Sequence, residues 1–156
     1  MNRIRPKVLI SQKIFDEVVA FVKDNFEVEE NQTDTPLPTK VLIQKLQDKV
    51  GTIILLTDQI DDNVLSQCPD LKIICNVAVG YNHIDIEAWS RRRVTVTNTP
   101  GVLDDTTADF TWTLLLATAR RVVEADQYLR SLKWKRWGLM DFLGYDIHHK
   151  VSASVV

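Results

Sequence analysis

Thr52-Ile53-Ile54-Leu55-Leu56 decides the fold. Neither of its alternating faces is polar, so it reads as a strand buried on both sides, the habit of parallel sheets covered by helices. Its neighbours agree. Lys7-Val8-Leu9-Ile10 and Leu71-Lys72-Ile73-Ile74-Cys75 are strands of the same kind, Val94-Thr95-Val96 is a shorter one, and 26–29 alternates like an edge strand. Helical patterns lie between them. Residues 14–24 place Ile14, Phe15, Val18, Val19 and Val22 at helical spacing behind a cap at Ser11. Pro38-Thr39 opens a second helix through Val41, Leu42, Leu46 and Val50 that Gly51 stops, and shorter helices fall at 61–67 and 84–92. Strand and helix alternate five times before residue 98. The expected class is therefore α/β, a flavodoxin-like five-stranded parallel sheet with right-handed crossovers.

The chain has 156 residues, 45% of them apolar, with 19 basic and 21 acidic side chains and a formal charge of −2. Disorder is not the default for such a composition. The balance of charge argues against nucleic acid or anionic lipid as partner. The longest apolar-rich stretch, 112–119, is far too short to span a membrane. Two cysteines, Cys68 and Cys75, and three histidines give no disulfide framework and no zinc spacing, so no metal site and a reduced, cytoplasmic protein are expected.

After Pro100-Gly101 the character changes. Thr106-Thr107-Ala108-Asp109 resembles a capping box and opens a helix expected over 106–133. Its first half is apolar nearly all round, through Ala108, Phe110, Trp112, Leu114, Leu115, Leu116, Ala117 and Ala119. Such a helix needs cover on every side, which implies a second structural unit or a partner chain. Trp134-Lys135-Arg136-Trp137-Gly138 reads as a turn, 139–143 as one helical turn, 144–150 as a polar loop and 151–156 as a final strand.

Two loops can carry chemistry. Asn76-Val77-Ala78-Val79-Gly80-Tyr81 follows a strand directly, and open α/β sheets bind ligands beyond the carboxyl ends of their strands. Gly80 either serves a tight turn alone, or lets the backbone take a positive φ or approach a ligand, with the amides of Val79 and Gly80 forming a nest for a carboxylate. Leu55-Leu56-Thr57-Asp58 ends the neighbouring strand, where Leu56 is either core or the apolar wall of a small pocket. Asp58 is either a catalytic carboxylate or, the preferred reading, a cap for the helix near Asp61. His83 faces a cleft or the surface, and His148 and His149 are spaced wrongly for metal. No nucleophile elbow and no P-loop occur. A phospho-receiver would need acidic residues after the first strand and a lysine after the fifth. Ser11-Gln12 and Thr97-Asn98 stand there, so that reading fails.

Asn76 through Asp85, Val94-Thr95-Val96-Thr97-Asn98-Thr99-Pro100-Gly101-Val102-Leu103, Thr107-Ala108-Asp109 and Ala119-Arg120-Arg121 resemble, in order, the D-isomer-specific 2-hydroxyacid dehydrogenases, with the glyoxylate/hydroxypyruvate reductase branch nearest. Trp134, Trp137 and Gly144-Tyr145-Asp146 fit that branch. The resemblance implies reduction of small 2-oxo acids to 2-hydroxy acids with NADP or NAD. It implies a substrate domain over 1–99, the start of a nucleotide-binding domain over 100–150, and a tail at 151–156 outside the family pattern. By the same resemblance, Val79 and Gly80 hold the substrate carboxylate, Leu56 lines the pocket, Thr107 sits near the nicotinamide, and the helix 106–133 forms a homodimer. The family's next segment carries a G-x-G-x-x-G turn that meets the pyrophosphate, and its catalytic arginine, glutamate and histidine lie further on. Gly51, Gly80, Gly101, Gly138 and Gly144 do not form that turn. The expectation is a truncated form without catalytic residues, inactive alone, or a non-catalytic carboxylate-binding module that pairs with a full-length subunit. Asn82 stands where an acidic residue is usual, and Arg93 stands where a helix-ending glycine is usual, at a cost in stability if φ is positive there.

Overall fold

A computed structural model describes residues 5–150. The tail read as a strand over 151–156 lies outside the described residues. The chain divides into two compact units, Met1–Val102 and Leu103–Val156.

The first unit holds five strands: β1 (Lys7–Ile10), β2 (Glu27–Glu30), β3 (Gly51–Ile54), β4 (Ile73–Asn76) and β5 (Thr95–Thr97). They form one sheet in the order β2-β1-β3-β4-β5, and every pairing is parallel. This is the flavodoxin-like order, with its reversal between β1 and β3. The helices between the strands are α1 (Asp16–Asn25), α2 (Thr39–Leu46), α3 (Asp62–Ser66) and α4 (Ile86–Arg91).

Side-chain alternation sorts the sheet into two faces. Leu9, Ile54 and Ile74 point into a core completed by Leu42 and Leu46 of α2, Val64 and Leu65 of α3, and Ala88 and Trp89 of α4. Trp89 is the largest fully buried side chain. Its indole nitrogen donates to the Ile60 carbonyl at 3.3 Å, so the polar handle is satisfied inside the core. The other face differs from the expectation of full cover. Ile14, Phe15 and Val18 border a groove of about 490 Å³ floored by Ile53, Cys75 and Val77. Ile73 on that face remains 39% exposed.

Helix ends depart from the sequence reading where long-range partners intervene. Ser11 does not cap α1, whose N-cap is Phe15 with no side-chain cap bond. Its hydroxyl instead donates to Asp58 Oδ2 at 2.5 Å, and both residues are buried. Asp58 therefore does not cap α3. Asp61 does, accepting from the Val64 amide at 3.0 Å. Likewise Asp85 caps α4, accepting from the Ala88 amide at 2.9 Å. The second helix ends at Leu46, not at Gly51. Gly51 opens β3, beside the Ile73 side chain.

In the second unit, the helix expected over 106–133 is two helices, α5 (Asp104–Ala119) and α6 (Val122–Arg130). The capping box at Thr106–Asp109 does not form. The helix already starts at Asp104 behind Leu103, and the Thr107 amide donates to the Leu103 carbonyl at 2.8 Å. The break falls at Arg121, which takes the left-handed conformation at φ 53°. Residues 139–143 are turns rather than a helical turn.

Candidate functional site

The sheet order brings the carboxyl ends of β3 and β4 side by side. The Val77 amide donates to the Ile54 carbonyl at 2.9 Å and carries the ladder to the start of the loop that follows β4. Leu56 lies two residues past β3 and is 60% exposed, so it is not core. Its neighbour Asp58 shapes the turn. Asp58 Oδ2 accepts from the Leu55 amide at 2.9 Å as well as from Ser11. Gln12 Nε2 donates to the Thr57 hydroxyl at 2.8 Å and ties the end of β1 to the same turn.

The loop after β4 is held by its carbonyls. The Ala78 carbonyl accepts from the Thr99 amide at 3.1 Å. The Val79 carbonyl accepts from Asn98 Nδ2 at 2.8 Å, and the Gly80 carbonyl accepts from Asn76 Nδ2 at 2.9 Å. Neither the Val79 nor the Gly80 amide donates to an acceptor among the described residues. Gly80 does not take a positive φ, which removes that reason for the glycine. A Cβ placed on it would meet nothing within 4 Å, so the space above the loop is open. No acidic or basic side chain belongs to 76–80. An anion approaching there meets backbone donors and no competing carboxylate within the loop.

His83 is half-buried, and its ring nitrogens have no partner among the described residues. Burial holds its pKa below the usual 6.5 while the Asp58 carboxylate pulls the other way. Thr107 belongs to the second unit, inside α5, where its carbonyl accepts from the Thr111 hydroxyl at 2.8 Å. Among the described residues no cluster of His, Cys, Asp or Glu could hold a metal, and no helix is long and apolar enough to cross a membrane.

Leu56, Val79 and Gly80 are legible in the sequence as candidates through their place after strands. Sequence reasoning passes over Asn98, whose partner Val79 lies 19 positions away, and over Asn76, which closes a local turn on the Gly80 carbonyl.

Residues 8–152 match the model for D-isomer specific 2-hydroxyacid dehydrogenase, catalytic domain. The chain belongs to that family. A glyoxylate reductase of Thermococcus kodakarensis is 46% identical over 156 residues, covering 97% of this chain and 47% of the relative. A crystal structure of the TT0316 protein from Thermus thermophilus superposes with a TM-score of 0.85 at 38% identity, over 90% of this chain and 45% of that one. An NADPH-dependent glyoxylate/hydroxypyruvate reductase from Sinorhizobium meliloti, solved in complex with NADP and malonate, gives 0.69 at 29% identity over 83% and 39%. The chain spans about half the length of the curated relatives it matches.

Proposed function

We propose that this chain supplies the carboxylate-holding part of a reductase that converts small 2-oxo acids, of the glyoxylate and hydroxypyruvate class, to 2-hydroxy acids with NAD(P)H. The observation that carries the proposal is the pair of undonated amides at Val79 and Gly80 under open space at the end of β4. Two backbone N–H groups that meet a carboxylate make charge-assisted bonds, stronger than neutral ones and selective for a small flat anion. Leu56 on the adjacent strand end gives such an acid an apolar wall. Thr107 is assigned to the neighbourhood of the nicotinamide by family resemblance.

The residues in hand do not fit the dinucleotide itself. None of the five glycines forms the G-x-G-x-x-G turn that would meet a pyrophosphate. By the family resemblance, turnover also needs a catalytic arginine, glutamate and histidine, and general acid-base catalysis alone is worth roughly 10²–10⁴ in rate. The purified 156-residue chain, incubated with glyoxylate or hydroxypyruvate and NADPH or NADH, is expected to show no loss of nicotinamide absorbance above a blank. Sustained turnover would overturn this part of the reading.

Pairing through the region 106–133 is the second element of the proposal. Phe110, Trp112 and Leu114 of α5 are each more than half exposed, and large apolar groups left in water favour association. The occupant is either a second copy or a full-length subunit of the same family. Sedimentation is expected to show a species heavier than a monomer, and a monomer at high concentration counts against pairing.

A further inference from the structure

Resting on the carboxylate reading, we infer that Asn98, seconded by Asn76, is a positioning residue that turns the Gly80 amide toward the substrate carboxylate. In a planar trans peptide the carbonyl and the following N–H point in opposite directions. The chain has no cis peptides among the described residues. With the Val79 carbonyl on Asn98 Nδ2, the Gly80 amide must face away from Asn98. With the Ala78 carbonyl on the Thr99 amide, the Val79 amide faces away from Thr99. The Asn76 bond to the Gly80 carbonyl fixes the next plane in turn. Three consecutive peptide planes are thus pinned through their oxygens, and the Val79 and Gly80 donors are left for a ligand.

The pin matters because of the residue it holds. Gly80 has no Cβ, and a Cβ there would meet nothing within 4 Å, so its backbone lacks the side-chain restraint that would favour one orientation of the Val79–Gly80 peptide. A flipped plane would present a carbonyl oxygen to the carboxylate and repel it. Asn98 is the side chain that blocks the flip. Its partner is a carbonyl, so the amide nitrogen has to serve as donor. Being neutral, it neither attracts the substrate away from the loop nor repels it. Asn76, 2% exposed, is the same device from below.

The test is a titration of oxamate, a stable small 2-oxo acid derivative, into the ¹⁵N-labelled 156-residue chain. The wild type is expected to show saturable shifts at the Val79 and Gly80 amides. Asn98→Ala is expected to weaken binding about tenfold and shrink the Gly80 shift, with no change in the thermal midpoint. Asn98→Gln, which keeps the donor on a longer stem, is expected to recover part of the affinity, a rescue that a merely structural role would not give. Should Asn98→Ala lose its dispersed spectrum, Asn98→Ser takes its place, since a hydroxyl one bond shorter cannot reach the carbonyl. Unchanged affinity in the variant with intact Val79 and Gly80 shifts overturns the positioning role and leaves the carboxylate reading standing. A wild type that shows no shift at either amide overturns both.

Discussion

At Arg93 the backbone is left-handed, φ 58°, directly after α4. Its amide donates to the Ser90 carbonyl and the Val94 amide to the Trp89 carbonyl, each at 3.1 Å, so the chain leaves the helix by a tight reversal that favours glycine. Family resemblance pointed to glycine at this position, and the conformation supplies the reason. A left-handed residue with a Cβ costs roughly 1–2 kcal/mol, of which the greater freedom of glycine in the unfolded chain cancels roughly 0.5–1. Arg93→Gly is expected to stabilise the chain by about 0.5–1 kcal/mol, raising the thermal midpoint by a few degrees in calorimetry. A lower midpoint would mean that the Arg93 side chain makes a contribution larger than the strain. Other single residues were illegible in sequence. Ser11 and Asp58 each looked like a helix cap, and they bond each other across 47 positions, which no local pattern can show. Asn98, 19 positions from Val79, is the same case within the candidate site.

Strands were the easiest elements to read, because burial on both faces leaves continuous apolar runs, and their limits fall within two residues of the expectation for β1, β3, β4 and β5. The weak 26–29 pattern proved to be the edge strand β2, where three glutamates face ion-pair partners and water. The region 106–133 misled, since no glycine or proline marks the break between α5 and α6. The cause lies in a later loop. The Tyr145 amide donates to the Ala119 carbonyl at 2.8 Å and takes the place of the next helical turn. Gly144 makes that approach possible. A Cβ there would sit 2.4 Å from the Ala119 oxygen and 3.0 Å from the Arg120 Cα, both backbone atoms that cannot swing aside. Gly144→Ala is expected to destabilise the second unit by about 1–3 kcal/mol, with faster hydrogen exchange at the Tyr145 amide. Unchanged exchange would show that the loop does not hold the break.

Across the whole first unit, charge is concentrated along one edge. Lys45 and Lys49 meet Glu29 at 2.5 and 3.0 Å, Lys23 meets Glu30 at 2.6 Å, and Lys7 meets Asp48 at 2.9 Å, with Lys49 also on Asp48. Hydrogen bonds from Lys49 and Lys7 hold the Asp48 carboxyl down at about 2, below its usual 3.8. Lys45 and then Lys49 lower Glu29, and Lys23 lowers Glu30, both from 4.5. A carboxylate with a depressed folded pKa binds its proton more tightly when unfolded. Its stabilisation is therefore complete above the unfolded value and is lost as pH falls through the folded one. The urea midpoint is expected to hold steady from about pH 7 to pH 5 and to fall between about pH 4.5 and 2. Apart from the buried Lys49, these groups are partly to largely exposed, so the network contributes modestly and high salt should flatten the profile. A midpoint that rises on acidification would contradict the network.

By itself the sequence determined the α/β class, the parallel sheet and the family, and it singled out the two loops proposed to hold a small acid. Each of these rests on short-range apolar runs or on an ordered series of motifs, which survive without knowledge of distant partners. The tertiary structure alone decided which side chains cap, which helix breaks and which way the Val79 and Gly80 amides face. The Val79 carbonyl is held by Asn98 from 19 positions away, the helix breaks where Tyr145 bonds Ala119, and Ser11 and Asp58 are drawn from capping by a bond across 47 positions. Only folding brings such donors and acceptors together.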